Sequence, residues 1–215
     1  MHKVIHENDP NLKQETSQSV MGSLDYNGDI GNMYVGFLVE GFYTMLIDPF
    51  VTEYVPSEDE NIMVCYRSNS EDGAKVAGLN TELRLAPIQS LELSGGFTYQ
   101  ISRYDIAQDD FNEKAFYRTP DNYGFITVDW DLTEMFGISV SGNYTGSMLV
   151  PYFGIEDRGI ADYDPENGAL IESDSFFDMG FKLSYDFYLG TNIFQIYGGM
   201  KNILNSYQND FDSGI

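Results

Sequence analysis

Cysteine is almost missing from this chain. Cys65 stands alone among 215 residues, so no internal disulfide can form, and its place in the strand-like run Ile62-Met-Val-Cys-Tyr66 reads as a small packing position. Basic residues are scarce as well: 11 Lys and Arg face 34 Asp and Glu, a formal net charge of −23. That balance argues against nucleic acid as a partner, which needs a basic surface. No stretch approaches the roughly 20 apolar residues of a transmembrane helix, and Met1, His2 and Lys3 are followed by acidic and polar residues where a secretory signal would place an apolar segment. The two histidines, His2 and His6, fall in that polar stretch and read as exposed residues. There is no Cys/His cluster and no nucleophile elbow. Carboxylates are plentiful, but they lie on loops or alternate along strands and do not pair as acid and base. The expectation is a protein that is not an enzyme, with no cofactor and no metal site.

What the chain does have is alternation. In Phe177-Asp-Met-Gly-Phe-Lys-Leu-Ser-Tyr-Asp-Phe187 the odd positions are large and apolar while the even ones are charged or small. A strand with that period has one greasy and one wet face, so Phe177, Met179, Phe181, Leu183 and Tyr185 are expected toward lipid and Asp178, Lys182, Ser184 and Asp186 toward an interior. Leu91-Glu-Leu-Ser-Gly-Gly-Phe-Thr-Tyr-Gln-Ile101 repeats the pattern. Each run has about the 9–11 residues with which a tilted strand crosses a bilayer. The 15% aromatic content, 16 Tyr and 15 Phe with one Trp, suits aromatic girdles at two membrane interfaces.

Strand-like runs fall at residues 18–27, 33–49, 62–86, 91–103, 123–132, 137–149, 176–189 and 193–204. Connections 27–32, 86–89, 133–136 and 190–192 are hairpin-sized, whereas 51–60, 104–122 and 150–175 are long and acidic. Short turns on one rim and long loops on the other is the asymmetry of bacterial outer-membrane barrels, the short side being periplasmic. To keep this parity, 62–86 is read as a single descending strand interrupted near 69–73. The predicted fold is all-β: an antiparallel up-and-down meander of about eight long strands, part of a transmembrane β-barrel. The rival is an exported soluble β-sandwich for binding or adhesion, whose strands run to about 5–6 residues.

Five stretches then follow one another along the chain: Asn8-Asp-Pro-Asn-Leu-Lys-Gln-Glu-Thr-Ser17, Val39-Glu-Gly-Phe-Tyr-Thr44, Lys75-Val-Ala-Gly-Leu-Asn-Thr-Glu82, Phe116-Tyr-Arg-Thr-Pro120 and Gly199-Met-Lys-Asn-Ile-Leu-Asn-Ser-Tyr207. In order and spacing they resemble the barrel half of TonB-dependent receptors, with Gln14 where that family usually has proline and Asn80 near a position that is often acidic. The resemblance implies a barrel of about 22 strands closed around a plug. It implies uptake of an iron–siderophore complex, haem, cobalamin, a metal or a glycan, energised by TonB through the plug, with outer-membrane lipid and a surface lipoprotein as further partners. Residues 1–215 are expected to be a partial barrel that lacks signal peptide, plug and final strand.

Candidate site residues come from alternation and from the loops. The water-facing set, expected to meet lumen or plug, is represented by Glu40, Glu82, Arg84, Gln100, Asp129 and Lys182. Tyr104, Phe111, Tyr117, Tyr152, Phe153 and Tyr163 offer aromatic surface beside carboxylates in the long loops and are the candidate ligand contacts. The acidic loop residues, among them Glu58, Asp59, Glu60, Asp157, Asp162 and Asp164, read as a solvated face. A cation funnel or Ca²⁺ site is the alternative, though the run lacks the glycine placement of an EF-hand loop.

Overall fold

In the computed structural model, residues 3–56, 62–70, 72–108, 111–152 and 168–208 are described. Phe153 and Tyr163, and the acidic residues expected at 58–60 and 157–166, lie outside them. The described chain contains no helix and is built of strands alone: β1 (Lys3–Asn8), β2 (Thr16–Ile30), β3 (Met33–Ile47), β4 (Phe50–Pro56), β5 (Ile62–Asn69), β6 (Ala74–Ile88), β7 (Leu91–Gln108), β8 (Glu113–Ala115), β9 (Asn122–Asp131), β10 (Phe136–Thr145), β11 (Leu149–Tyr152), β12 (Ala169–Glu172), β13 (Phe176–Leu189) and β14 (Asn192–Met200).

The principal sheet is a wall in the order β14-β13-β10-β9-β7-β6-β3-β2, with β8 attached to β7. Each of these neighbours is antiparallel to the next. The eight strands run from 9 residues in β14 to 18 in β7, long enough to cross a bilayer and longer than sandwich strands. Tight turns gather on one rim. Gly31 and Gly190 occupy the first loop positions of two-residue turns with φ of 67° and 64°, the left-handed backbone that primed hairpin turns require there. At the β6–β7 turn, Pro87 cannot donate to the ladder. The register shifts between Leu85 and Ile88, so β6 runs two residues past the expected end at Ala86.

The register propagates the alternation through the whole wall. Phe181 lies opposite Val140 and Met200, Val140 opposite Val128, Val128 opposite Leu93, Leu93 opposite Leu85, and Leu85 opposite Val35. One rung away, Lys182 faces Ser139, Ser139 faces Asp129 and Asp129 faces Glu92. Large apolar groups such as Val20, Leu24, Leu83, Phe97, Ile126 and Ile196 are left exposed on the apolar face. A soluble domain would bury so broad an apolar surface; against lipid tails it is the favourable one. Apart from Val35, the buried hydrophobic side chains (Cys65, Ala74, Ala115, Val150, Tyr152 and Ala169) lie at the rim opposite the tight turns or beyond it.

Beyond that rim the structure corrects several expectations. Residues 62–86 divide after Asn69: β6 stays in the wall, while β5 joins β4 and β1 in a separate three-stranded sheet. Phe50 pairs with Asn69 and Leu46 with Ala74, so the β4–β5 hairpin prolongs the β3–β6 hairpin across a break, and the parity is kept. Part of the expected loop 51–60 is therefore strand. β1 lies parallel to β5, from Lys3 opposite Ile62 to Asn8 opposite Arg67, a pairing between segments too distant in sequence for local pattern to reveal. The long connections contain β8 and the β11–β12 hairpin. The wall strands β10 and β14 stop at Thr145 and Met200, short of 149 and 204. Past β14, Asn202 and Asn205 take positive φ and the Asn202 side chain closes a turn with Ser206.

Candidate functional site

The polar face of the wall carries all six residues expected on the wet side. Glu40 is opposite Asn80 and Asn80 opposite Thr98. Glu82 is opposite Gly96, Arg84 opposite Ser94, Gln100 opposite Gly78 and Asp129 opposite Glu92. Side chains link across the strands: Asn80 Nδ2 donates to Glu40 Oε1 at 3.0 Å and Thr98 Oγ1 donates to Asn80 Oδ1 at 2.9 Å. The Arg84 guanidinium meets Glu92 at 3.4 Å, Ser19 and Thr44 share a hydroxyl bond of 2.8 Å, and Gln195 donates to Asp186 at 2.9 Å. Such cross-strand pairs pin the register from the water side. Arg84 and Lys182 are the only cations of the wall strands on this face, among seven or more carboxylates that include Asp25, Glu40, Glu82, Glu92, Asp129, Asp178 and Asp186, so the face is acidic.

Large rings break the polar pattern, Phe42 over Gly78 and Phe125 over Gly96 among them. Phe125 shares the face of Thr127 and Asp129, and its Cε1 lies 2.6 Å from where a Cβ on Gly96 would stand. The pair Gly95-Gly96 therefore serves close approach. The signal was present in Tyr123-Gly-Phe-Ile-Thr-Val-Asp129, where strict period 2 places Phe125 with Thr127.

At the long-loop rim the chain folds back on the wall. Phe116 N donates to Ser102 O and Gln100 N to Asp121 O, while Gln100 Nε2 reaches Pro120 O at 3.2 Å. Arg118, with φ 53°, donates its N–H to Leu149 O at 2.8 Å, tying the Phe116–Pro120 motif to the start of β11. Of the expected ligand contacts, Tyr104 packs on Phe116 with centroids 4.5 Å apart, and Phe111 meets Tyr117 edge to face at 5.7 Å. Tyr152 is buried in β11. Tyr104, expected in a long loop, lies instead in β7 because the β6 pairing extends to it, and the long-loop rim holds two aromatic pairs, Tyr104–Phe116 and Phe111–Tyr117. Glu113 accepts the N–H groups of Lys114 and Ala115; the Ala115 amide, then the Lys114 amide, hold its carboxyl below the ordinary glutamate range. Among the described residues, no group of three or more His, Cys, Asp or Glu is placed to hold a metal ion.

A further feature was not foreseen. Asn69 accepts Lys13 N at 2.6 Å and gives its amide hydrogens to Lys13 O and Asp48 O, while Glu15 Oε2 caps Phe50 N at 3.0 Å. The Leu12-Lys-Gln-Glu15 stretch is therefore a clip between β2, the β3–β4 bend and β5. Its hint was the unusual density of Asn, Asp and Pro around it, but the partner, Asn69, is far off in sequence.

The model of the family described as TonB-dependent receptor-like β-barrel matches residues 3–203. No curated protein sequence matches the chain. Among solved structures, the copper transporter OprC superposes with a TM-score of 0.63 at 13% identity, covering 90% of this chain and 26% of its own. The siderophore receptor PirA from Acinetobacter baumannii gives 0.59 at 16% identity over 93% and 29%, and the ferric-catecholate import receptor Fiu from E. coli K12 gives 0.53 at 17% over 91% and 24%. The chain spans about a quarter of the length of these proteins, and at such identities the likeness is one of fold. Long wall strands with an apolar outer and a polar inner face, turn asymmetry and the family match agree: the chain belongs to the TonB-dependent receptor β-barrel family of the Gram-negative outer membrane.

Proposed function

We propose that this segment forms part of the wall and ligand-gathering rim of an outer-membrane transporter that takes up a scarce, large ligand with energy delivered through TonB. The observation that carries the reading is the division of one sheet into a lipid face and a cross-bridged polar face that leads to an aromatic rim. Glu40, Glu82, Arg84, Gln100, Asp129 and Lys182 present hydrogen-bonding groups toward water or a plug. Tyr104, Phe111 and Tyr117, with Phe153 and Tyr163, supply the outer aromatic contacts, whereas Tyr152 is buried in β11 and is set aside as a contact. The names of the neighbours, siderophore and copper transporters, favour an iron–siderophore or metal cargo over a glycan. In this reading a plug, a closing strand and the remaining wall belong to the complete receptor, and no catalytic step is assigned.

Uptake in cells tests it. A strain carrying the complete receptor is offered labelled iron–siderophores, haem, cobalamin and glycans, with and without TonB. The expected result is accumulation of one class that disappears without TonB and falls when Tyr104, Phe111 and Tyr117 are replaced together by Ala at unchanged barrel level. Accumulation that ignores TonB would overturn active transport, and undiminished affinity in the folded triple variant would remove those three residues from the ligand site.

A further inference from the structure

The three-stranded sheet β1-β5-β4, the rim sheet, is tied to the wall at one end. Its strands pair along their length, Phe50 with Asn69 through Pro56 with Met63, and Lys3 with Ile62 through Asn8 with Arg67, yet among the described residues it shares no ladder with a wall strand. The chain crosses between the two bodies at three places: from Asn8 to Thr16, from Ile47 to Phe50 and from Asn69 to Ala74. Asn8, Phe50 and Asn69 all stand at the same end of the rim sheet, since Asn8 is opposite Arg67 and Phe50 opposite Asn69. A stiff sheet tethered along one edge can turn about that edge while its own ladder stays intact.

The crossings form a bend closed by a strap. Asp48 holds φ at 52°, a left-handed backbone that aspartate adopts more readily than most residues, and the next residue, Pro49, is fully buried. Across the bend Ser70 N donates to Pro49 O at 2.8 Å. Residues 12–15 then lie against it. Asn69 accepts Lys13 N at 2.6 Å and donates to Lys13 O at 3.1 Å and Asp48 O at 2.7 Å, so one amide holds rim sheet, strap and bend together. Glu15 Oε2 accepts Phe50 N at 3.0 Å, and Lys13 Nζ approaches Asp48 at 3.6 Å. Most of these bonds are exposed, where water can replace either partner. One group is badly served by the closed arrangement: Ser70, 6% exposed, keeps its Oγ buried with no hydrogen-bond partner among the described residues. That penalises the closed state and is relieved when the bend opens to water.

We propose that the rim sheet is a hinged flap that turns at Asp48 and Pro49 on one side and at Ser70 and Gly73 on the other, and that the strap 12–15 is its latch, with Asn69 as the catch. The flap stands beside the aromatic rim. Leu46, Ala74 and Tyr104 form the wall row next to the hinge, Gly73 O accepts Asp105 N at 2.8 Å, and the Glu15 carboxylate lies within electrostatic reach of the half-buried Tyr104. Glu15 thus serves the first amide of the flap and neighbours the Tyr104–Phe116 pair, so a group that engages Tyr104 competes for the carboxylate that holds Phe50. The turning itself does not depend on what the receptor carries; the flap's role as guard of the aromatic rim rests on the transport reading.

The complete receptor in mild detergent, with Cys65 replaced by Ser and otherwise free of cysteine, carries a single cysteine at Ser70 in one sample and at Ser102, a buried wall position, in another. The rate of labelling by a polar maleimide reads how often each site opens. Asn69→Ala should speed labelling at position 70 by about tenfold, the weight of the lost bonds, and leave position 102 unchanged. Hydrogen exchange on the Asn69→Ala receptor should rise at the Phe50 and Ser70 amides while the β4–β5 ladder keeps its protection. An unchanged rate at 70 overturns the flap, as does an equal rise at 70 and 102, which reports general loosening, or lost protection along β4 and β5, which reports unfolding in place of turning. The exchange measurement needs no cysteine. If Asn69→Ala does not fold, Glu15→Ala, which removes the Phe50 cap alone, is read at the Ser70 amide with the same expected direction. No cargo enters these readouts, so a failure of uptake leaves the flap untouched and a rigid rim sheet leaves the transport reading standing.

Discussion

Asn80 joins two neighbouring strands through one side chain, donating to Glu40 at 3.0 Å while accepting from Thr98. It is half-buried on the polar face, between a carboxylate and a hydroxyl that would otherwise face each other across β6. Replacing Asn80 by Leu removes both bonds and leaves Glu40 and Thr98 to water or plug. The complete barrel should lose about 1–2 kcal/mol, one net bond or two, measured by reversible urea unfolding in lipid vesicles. Asn80→Asp, which puts a second carboxylate against Glu40, should cost at least as much near neutral pH. An unchanged midpoint in both variants would mean that the network contributes nothing to the wall.

The Phe125 ring over Gly96 makes a second, independent expectation. A Val at position 96 drives its methyls into the ring, and overpacking of this kind costs about 1–3 kcal/mol. Combining Gly96→Val with Phe125→Ala should restore much of the loss, because the space under the ring is freed. Additive damage in the double variant would show that the two residues are not coupled.

Face assignment along β13 is tested by neighbours in sequence. Phe181 shares its rung with Val140 and Met200, Lys182 with Ser139 and Gly199. Phe181→Lys in the complete receptor should cost about 2–4 kcal/mol if it sits near mid-membrane, and Lys182→Leu much less. Folding yield into detergent or lipid, followed by heat-modifiable migration on gels, reads both. Equal damage from the two changes would contradict the assignment.

Topology follows from the turns. With Cys65 replaced by Ser, single cysteines at Asp174, in the link from β12 to β13, and at Thr191, in the β13–β14 turn, should differ in intact cells. A membrane-impermeant maleimide should label the first from outside and reach the second only after the outer membrane is opened. The reverse pattern would invert the barrel.

Alternation is a local property with period 2, so the lipid and water faces of β7 and β13, the parity of the long and short connections, and the wall positions of Glu40, Arg84 and Lys182 were legible in the sequence alone. The same period puts Phe125 on the wet face with Thr127 and Asp129, but only the pairing of β7 with β9 sets its ring over Gly96. Pairing is a different matter. Nothing between Lys3 and Asn8 distinguishes β5 as its parallel neighbour, and nothing near Lys13 points to Asn69, because backbone hydrogen bonds and a single amide clip join segments more than fifty residues apart without leaving a periodic trace in either. The residue pattern decided which face each side chain takes; the tertiary fold decided which side chains meet, because strand pairing is set by cooperative contacts across the sheet.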